Sequence, residues 1–273
     1  WSTSGNWTGA PAGQNIIFNN TGTSGTVGTV TSIVDATTSV NGLHFQNYAT
    51  HSVDPLTNYH TLQINDGVTL NMGSHLRVGT SGGSQTTWAK VEGPGTLNVN
   101  APSANIEVDY NGTYWQHHPS ELDLSGLANF TANVNQVRLG PSNPYANSSP
   151  YATLRLAETS HIVANSMTIG INQHNYGYLY LGQDTTLHID TIALAQGANS
   201  HRRGYMYFDS GLTNPTATIR GAAGGNSRAD LVIADCSPGG TRTSAVVDFS
   251  GGTLDARFDQ VKIGIAGDGD IWN

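Results

Sequence analysis

The sequence predicts an all-β chain, a single-stranded parallel β-helix of the right-handed kind with coils of about 25 residues. Three observations predict it. No stretch of a dozen residues places apolar side chains at i, i+3, i+4 and i+7, so helix periodicity is missing. Short runs with period 2 recur instead, each bounded by Gly, Asn, Asp, Ser or Pro. Two registers of these runs also agree on one spacing. Leu154/Leu156 recurs at Leu179/Leu181, 25 positions on, then at Met206/Phe208, 27 further, and at Leu231/Ile233, another 25. Ile169, Leu194 and Ile219 follow one another at 25.

Residues 1–60 are the least regular, with GTSGTVGTVTS at 22–32, and read as an N-terminal cap plus the first irregular coils. An open solenoid end exposes unpaired backbone N–H and C=O groups, so a cover is expected there. Residues 61–273 read as one continuous β-helix domain. Its early strands fall at Thr61–Ile64, Val68–Leu70, Leu76–Val78, Leu97–Val99, Leu122–Leu124 and Val137–Leu139. Leu122 precedes Leu154 by 32 positions, and the surplus is assigned to a loop insertion in the Pro/Ser/Asn stretch 141–150. The segment AVVDFSGGTLDARFDQVKIG keeps the texture with a broken period. A single coil cannot bury its inward side chains, whereas coils stacked at about 4.8 Å make continuous apolar columns. The columns expected are Leu154-Leu179-Met206-Leu231 and Ile169-Leu194-Ile219.

Composition narrows the function classes. The chain has 273 residues, a net charge of −8, 11% charged and 37% hydrophobic residues. That excludes disorder, which goes with high charge and few β-branched residues. Lys90 and Lys262 are the only lysines, so no nucleic-acid partner is expected. The longest apolar runs are five or six residues, too short for a transmembrane helix, and no membrane insertion of this segment is expected. A single cysteine, Cys236, excludes a disulfide framework and a cysteine zinc site. No metal and no cofactor are expected. The start at Trp1, without Met or a signal peptide, suggests a processed or trimmed secreted protein.

The opening WSTSGNWTGAPAGQNIIFNN carries Trp1, Gly5-Asn6-Trp7, Pro11 and Ile16-Ile17-Phe18. It resembles the N-terminal pattern of autotransporter-associated β-strand repeat proteins. GLTNPTATIRGAAGG and VDFSGGTLDARFDQVKIG resemble segments of the same large secreted solenoids. The resemblance implies an extracellular or cell-surface, adhesin-like role with no assigned chemistry. The chain departs from such proteins in showing nothing like a C-terminal membrane barrel.

Outward residues alternate with the inward ones. The expected rows are Thr153, Tyr178, Tyr205, Asp230 and Arg155, Tyr180, Tyr207, Val232. Tyr178, Tyr180, Tyr205 and Tyr207 then form a patch with two readings. It is a platform for a polysaccharide or cell-surface glycan, or a surface ladder in which cross-strand pairs contribute about 0.2–1 kcal/mol each. Loops in the same frame bring His174, Asn175, His201, Arg202, Arg203, Asn226 and Arg228 to one edge. Guanidinium groups grip carboxylates or sulfates bidentately, so this edge suits an acidic chain, or is a solvated turn.

An enzyme on this scaffold is the alternative from another class. A polysaccharide lyase needs a cation, a base and an acid, roles open to Arg202, His201 and Tyr205. A glycoside hydrolase needs paired carboxylates, and Asp209, Asp230 and Asp235 are the nearest candidates. The loop YNGTYWQHHPS, with Tyr110, Tyr114, Trp115, His117 and His118, either packs on the solenoid flank or binds a sugar or a metal. The stretches IND at 64–66 and GDGD at 267–270 lack the spacing of a calcium loop and read as turns. Trp1, Trp7 and Trp272 stand near the two ends. They cover those ends, or join one copy to the next in a head-to-tail self-association.

Overall fold

The computed structural model describes residues 11–18, 30–46, 49–50, 60–79, 85–109, 119–140, 151–171, 176–197, 202–236 and 243–264. Among them there are strands and turns and no helix. In chain order the strands are β1 (Asn15–Phe18), β2 (Val30–Val34), β3 (Thr38–Val40), β4 (Gly42–Phe45), β5 (Ala49–Thr50), β6 (His60–Ile64) and β7 (Thr69–Met72). Then come β8 (Leu76–Val78), β9 (Gln85–Val108), β10 (Pro119–Asp123), β11 (Leu127–Leu139), β12 (Tyr151–Arg155), β13 (Thr159–Ile169) and β14 (Tyr176–Leu181). The last are β15 (Asp184–Leu194), β16 (Arg203–Phe208), β17 (Thr216–Arg220), β18 (Ala229–Ile233), β19 (Ser244–Asp248), β20 (Thr253–Ala256) and β21 (Phe258–Ile263).

All described pairings are parallel except the short antiparallel contact of β5 with β9. One sheet, here sheet I, stacks β2, β6, the start of β9, β10, β12, β14, β16 and β19. Sheet II receives two runs from each coil. They are separate strands in β3/β4, β7/β8, β17/β18 and β20/β21, and one bent strand in β9, β11, β13 and β15. The chain is therefore a β-solenoid whose turns take about 30 residues. The strands at 15–18 and 30–45 already stack in the frame of those that follow, so coils begin well before residue 60.

The coil length corrects the 25-residue expectation. Leu122 pairs with Leu154, Leu154 with Leu179 and Leu179 with Met206, but Met206 then pairs with Val247, 41 positions on. Leu231 lies in sheet II instead, between Ile192 and Val261. Ile169 does pair with Leu194, which continues to Ile233, while Ile219 sits on Leu187. The outward rows change accordingly. Tyr205 continues to Val246 rather than Asp230, and Tyr207 to Asp248 rather than Val232. The reason is physical. Every strand of a coil has the same in–out alternation, so a second face of one coil reads like the first face of the next.

The column Ala89-Leu122-Leu154-Leu179-Met206 is fully buried and runs into Val247 in the last coil. Burying one such Leu or Met side chain contributes about 1.5–3 kcal/mol. The two ends of the core differ. At the N-terminal end the inward Ile16 and Phe18 are each 6% exposed. At the C-terminal end Leu254, Val261 and Ile263 are 37%, 50% and 69% exposed, although the residues they pair with, Ala217, Leu231 and Ile233, lie one coil deeper.

From β8 onward each coil turns out of sheet II through a residue in the left-handed region: Gly79, Asp109, Gly140, Gly170, Ala195, Ala234 and Gly264. The backbone N–H groups of Gly140, Gly170, Ala195, Ala234 and Gly264 donate to the carbonyl that precedes the equivalent corner one coil earlier, at 2.9–3.0 Å. Gly170 also has no room for a side chain, since a Cβ would lie 1.9 Å from the Arg203 carbonyl oxygen. The next sheet I strand enters over this corner, which is why Gly177 and Gly204 occupy its first inward position.

Outward side chains tie coil to coil. Asn165 donates to Asn135 at 3.0 Å and Asn135 to Asn105 at 3.4 Å, along the corner between the two runs of sheet II. Asn98 donates to Asn71 and Thr131 to Asn98, both at 2.8 Å. Glu107 is buried between Arg77 (2.8 Å) and Arg138 (3.0 Å), one coil to either side.

Candidate functional surface

Three consecutive sheet I strands read Tyr-Ala-Thr-Leu-Arg, Tyr-Gly-Tyr-Leu-Tyr-Leu and Arg-Gly-Tyr-Met-Tyr-Phe. Alternation sends Ala152, Leu154, Gly177, Leu179, Gly204 and Met206 inward, and the tyrosines and arginines outward. Register then stacks Tyr151 on Tyr176 on Arg203, Tyr178 on Tyr205, and Arg155 on Tyr180 on Tyr207. The four expected tyrosines do come together, and Tyr151 and Tyr176 extend the patch to six.

Ring orientation decides what this patch offers. Tyr178 and Tyr205 are nearly parallel, 10° apart with centroids at 4.7 Å, so their faces cover one another. Tyr151 stacks on Tyr178 from the coil before at 6.1 Å. Tyr180 lies between Tyr207, at 6.1 Å, and the Arg155 guanidinium, 4.2 Å from its ring centre. The Arg203 guanidinium lies 4.7 Å over Tyr176, and Tyr151 meets the same ring edge-on at 5.0 Å. The patch is thus a ladder of rings clamped by two arginines. Burial pushes the Tyr178 phenol up to about 12, with Tyr205, Tyr151 and Tyr180 adding to the effect. Burial likewise raises Tyr151 and Tyr207, so these phenols stay neutral donors.

Arg155 is the hub of the flank. Its Nε donates to Glu121 at 2.9 Å and its Nη1 to Asp209 at 2.9 Å, joining three coils. Burial works against the charge of Arg155, but Asp209 and Glu121 outweigh it and hold the guanidinium above its ordinary value. Burial raises the Glu121 carboxyl, against the pull of Arg155.

The expected cationic edge is not one edge. Arg202 is 1% exposed, and its guanidinium donates inward to the Gly197 carbonyl oxygen, so it is no surface cation. The same alternation that faces Tyr205 and Arg203 outward sends Arg202 to the inner side. Arg228 lies between the two runs of sheet II, donating to the Phe258 carbonyl oxygen at 2.8 Å, on a corner far along the coil from the tyrosines. Asn226, beside it, accepts from Arg257. Among the described residues of that edge, Arg203 alone meets the ladder. His174, Asn175 and His201 lie outside the described residues, as do Tyr110, Tyr114, Trp115, His117 and His118.

The three candidate carboxylates are separate as well. Asp209 is held by Arg155, Asp230 stands in sheet II next to Thr191, and Asp235 lies behind the Ala234 corner accepting from Gln196 at 3.4 Å. Sequence reasoning passed over Arg155, Glu121 and Asp248 as site residues. Arg155 carried a signal, an arginine in register with two tyrosines. Asp248 did not, because the 41-residue step hid its place in that row. Among the described residues no group of three His, Cys, Asp or Glu side chains is arranged to hold a metal.

Compared with models of known protein families, with curated proteins and with solved structures, the chain matches none.

Proposed function

We propose that this chain is a structural, adhesin-like module of an extracellular or cell-surface protein, a stiff rod whose task is reach and display. One observation carries the reading. The conspicuous outward rows are spent on contacts between coils: tyrosine on tyrosine, arginine on tyrosine, asparagine on asparagine, and carboxylates between arginines. A surface built for catalysis would instead leave titratable groups converging on open space. The sequence resemblance to secreted solenoids supports the location.

Two experiments test it. Protease shaving of intact source cells, with assay of the culture medium, should find the chain outside, and a purely intracellular pool would overturn the location. Incubation with uronate polymers should leave the absorbance of unsaturated ends flat, whereas a steady rise would make the chain a lyase.

A further inference from the structure

The ladder ends differently at its C-terminal side. Tyr207 has Tyr180 on one side, and on the other its register partner is Asp248, a carboxylate rather than a ring. The turn after β16 and the turn after β19 then wall a groove of about 400 Å³. Tyr180, Tyr207, Phe208, Asp209, Pro215 and Asp248 line it, with Ser210 and Ser250 on its rim. That is the small end of the range for ligand sites, about 300–1,000 Å³.

The charge in this groove is one-sided. Asp209 is neutralised by Arg155, which lies on the far side of Tyr180. Among the described residues no ion pair reaches Asp248. Its carboxylate accepts from Ser250, whose hydroxyl and backbone N–H hold it below the ordinary carboxylate range. The same row shows what completes such a stack. Upstream, a cation lies on Tyr180 and is held by a carboxylate of the coil before it, in the order Glu121, Arg155, Tyr180. Downstream, Tyr207 and Asp248 repeat the ring and the carboxylate with no cation between them.

We propose that this groove binds an amino sugar carrying a free ammonium group, as a unit of a cationic glycan. The ammonium takes Asp248 and the negative face of the Tyr207 ring. The C–H face of the sugar lies against Tyr207 and Phe208, and its hydroxyls meet the phenols of Tyr180 and Tyr207 and the hydroxyls of Ser210 and Ser250. An acidic glycan meets the negative Asp248 carboxylate here and is repelled, and the net charge of −8 favours a cationic chain at longer range. This inference goes beyond the structural role, and its failure leaves that role standing.

The probe is a free-amine glucosamine trimer titrated into the full chain and followed by calorimetry. The N-acetylated trimer, a galacturonate trimer and a lysine trimer serve as comparisons. The free-amine trimer should bind at least about tenfold tighter than the others, and less tightly as salt rises. Asp248→Asn should cut its affinity at least about tenfold, the loss of one charge-assisted contact. Asp248 is solvent-exposed, so this variant should fold like the parent. Asp66→Asn, an exposed carboxylate in a distant coil, should change nothing. Any of four results overturns the proposal: no binding at millimolar trimer, equal binding of the acetylated form, equal binding of the lysine trimer, or equal loss with Asp66→Asn.

Discussion

Replacing Tyr178 with Ala removes the ring at the centre of the ladder and three ring contacts at once. The contact with Tyr205 is the closest, at 4.7 Å and 10°, while those with Tyr151 and Tyr180 lie at 6.1 Å and 6.5 Å. Aromatic pairs contribute about 0.5–1.5 kcal/mol beyond the area they bury. Taking about 1 kcal/mol for the close pair and half of that for each wider one gives a loss of about 2 kcal/mol. Urea unfolding of Tyr178→Ala, Tyr205→Ala and the double variant measures it, since the coupling between the two changes isolates the direct pair. The coupling should be about 1 kcal/mol, and Tyr178→Phe, which keeps the ring, should stay within about 0.5 kcal/mol of the parent. Coupling below a few tenths of a kcal/mol, with a small total loss, would show that the rings stand independently in solvent. The ladder would then be a free platform, and the case for a purely structural surface would fall.

The phenols give a pH prediction. Tyr151, Tyr178 and Tyr207 are raised above the ordinary value by burial, Tyr178 to about 12, so the native state keeps protons that the unfolded chain loses near pH 10. Their contribution is complete below pH 10 and is lost as pH rises toward 12; the melting temperature should fall across that window, and a phenolate absorbance that titrates entirely near pH 10 would contradict the ladder. Leu179→Asp puts an unpaired charge in the apolar column between Leu154 and Met206 and should cost several kcal/mol, read as a large shift in urea midpoint. Ala234 holds a left-handed φ of 55°, so Ala234→Gly should stabilise by about 0.5–1 kcal/mol, with a lowered melting temperature as the contrary result. The exposed C-terminal coil tests the head-to-tail expectation: Ile263→Lys should reduce any concentration-dependent rise in light scattering, and a constant monomer mass for the parent would exclude such assembly.

The solenoid was legible because its inward residues repeat the same short apolar alternation in every coil, as Leu122, Leu154, Leu179 and Met206 do. The step to the last coil was not. Connections of seven and eight residues flank β17, and Ala-Asp-Leu-Val-Ile of β18 imitates a sheet I strand in composition. Periodicity reports that a strand has an inner and an outer side, but not which face of the solenoid it belongs to. Arg202 was within reach of the sequence: carrying the alternation back from Tyr205 through Arg203 places it inside. The covered faces of the tyrosines were not, because alternation assigns a ring to the surface without setting its plane. That plane follows from χ angles chosen by packing against Arg155, Arg203 and the next ring.

The left-handed corners have a consequence for how such a rod can vary. Between the end of sheet II in one coil and the start of sheet I in the next, the chain spends 6, 10, 11, 6, 8 and 10 residues from β8 onward. The connections from sheet I into sheet II take only 2–7 residues from β10 onward. In every coil from β10 onward the connection from sheet II to the next sheet I strand is therefore the longest, and each begins at the same repeated hinge. Insertions there leave the pitch, the columns and the ladders undisturbed. Each turn thus offers one connection whose length can change while its anchoring strands keep the ordinary strand spacing to the next turn, about 4.8 Å. Segments inserted between the anchoring strands of successive turns would follow one another in the order of those strands, which makes the fold a scaffold for multivalent display.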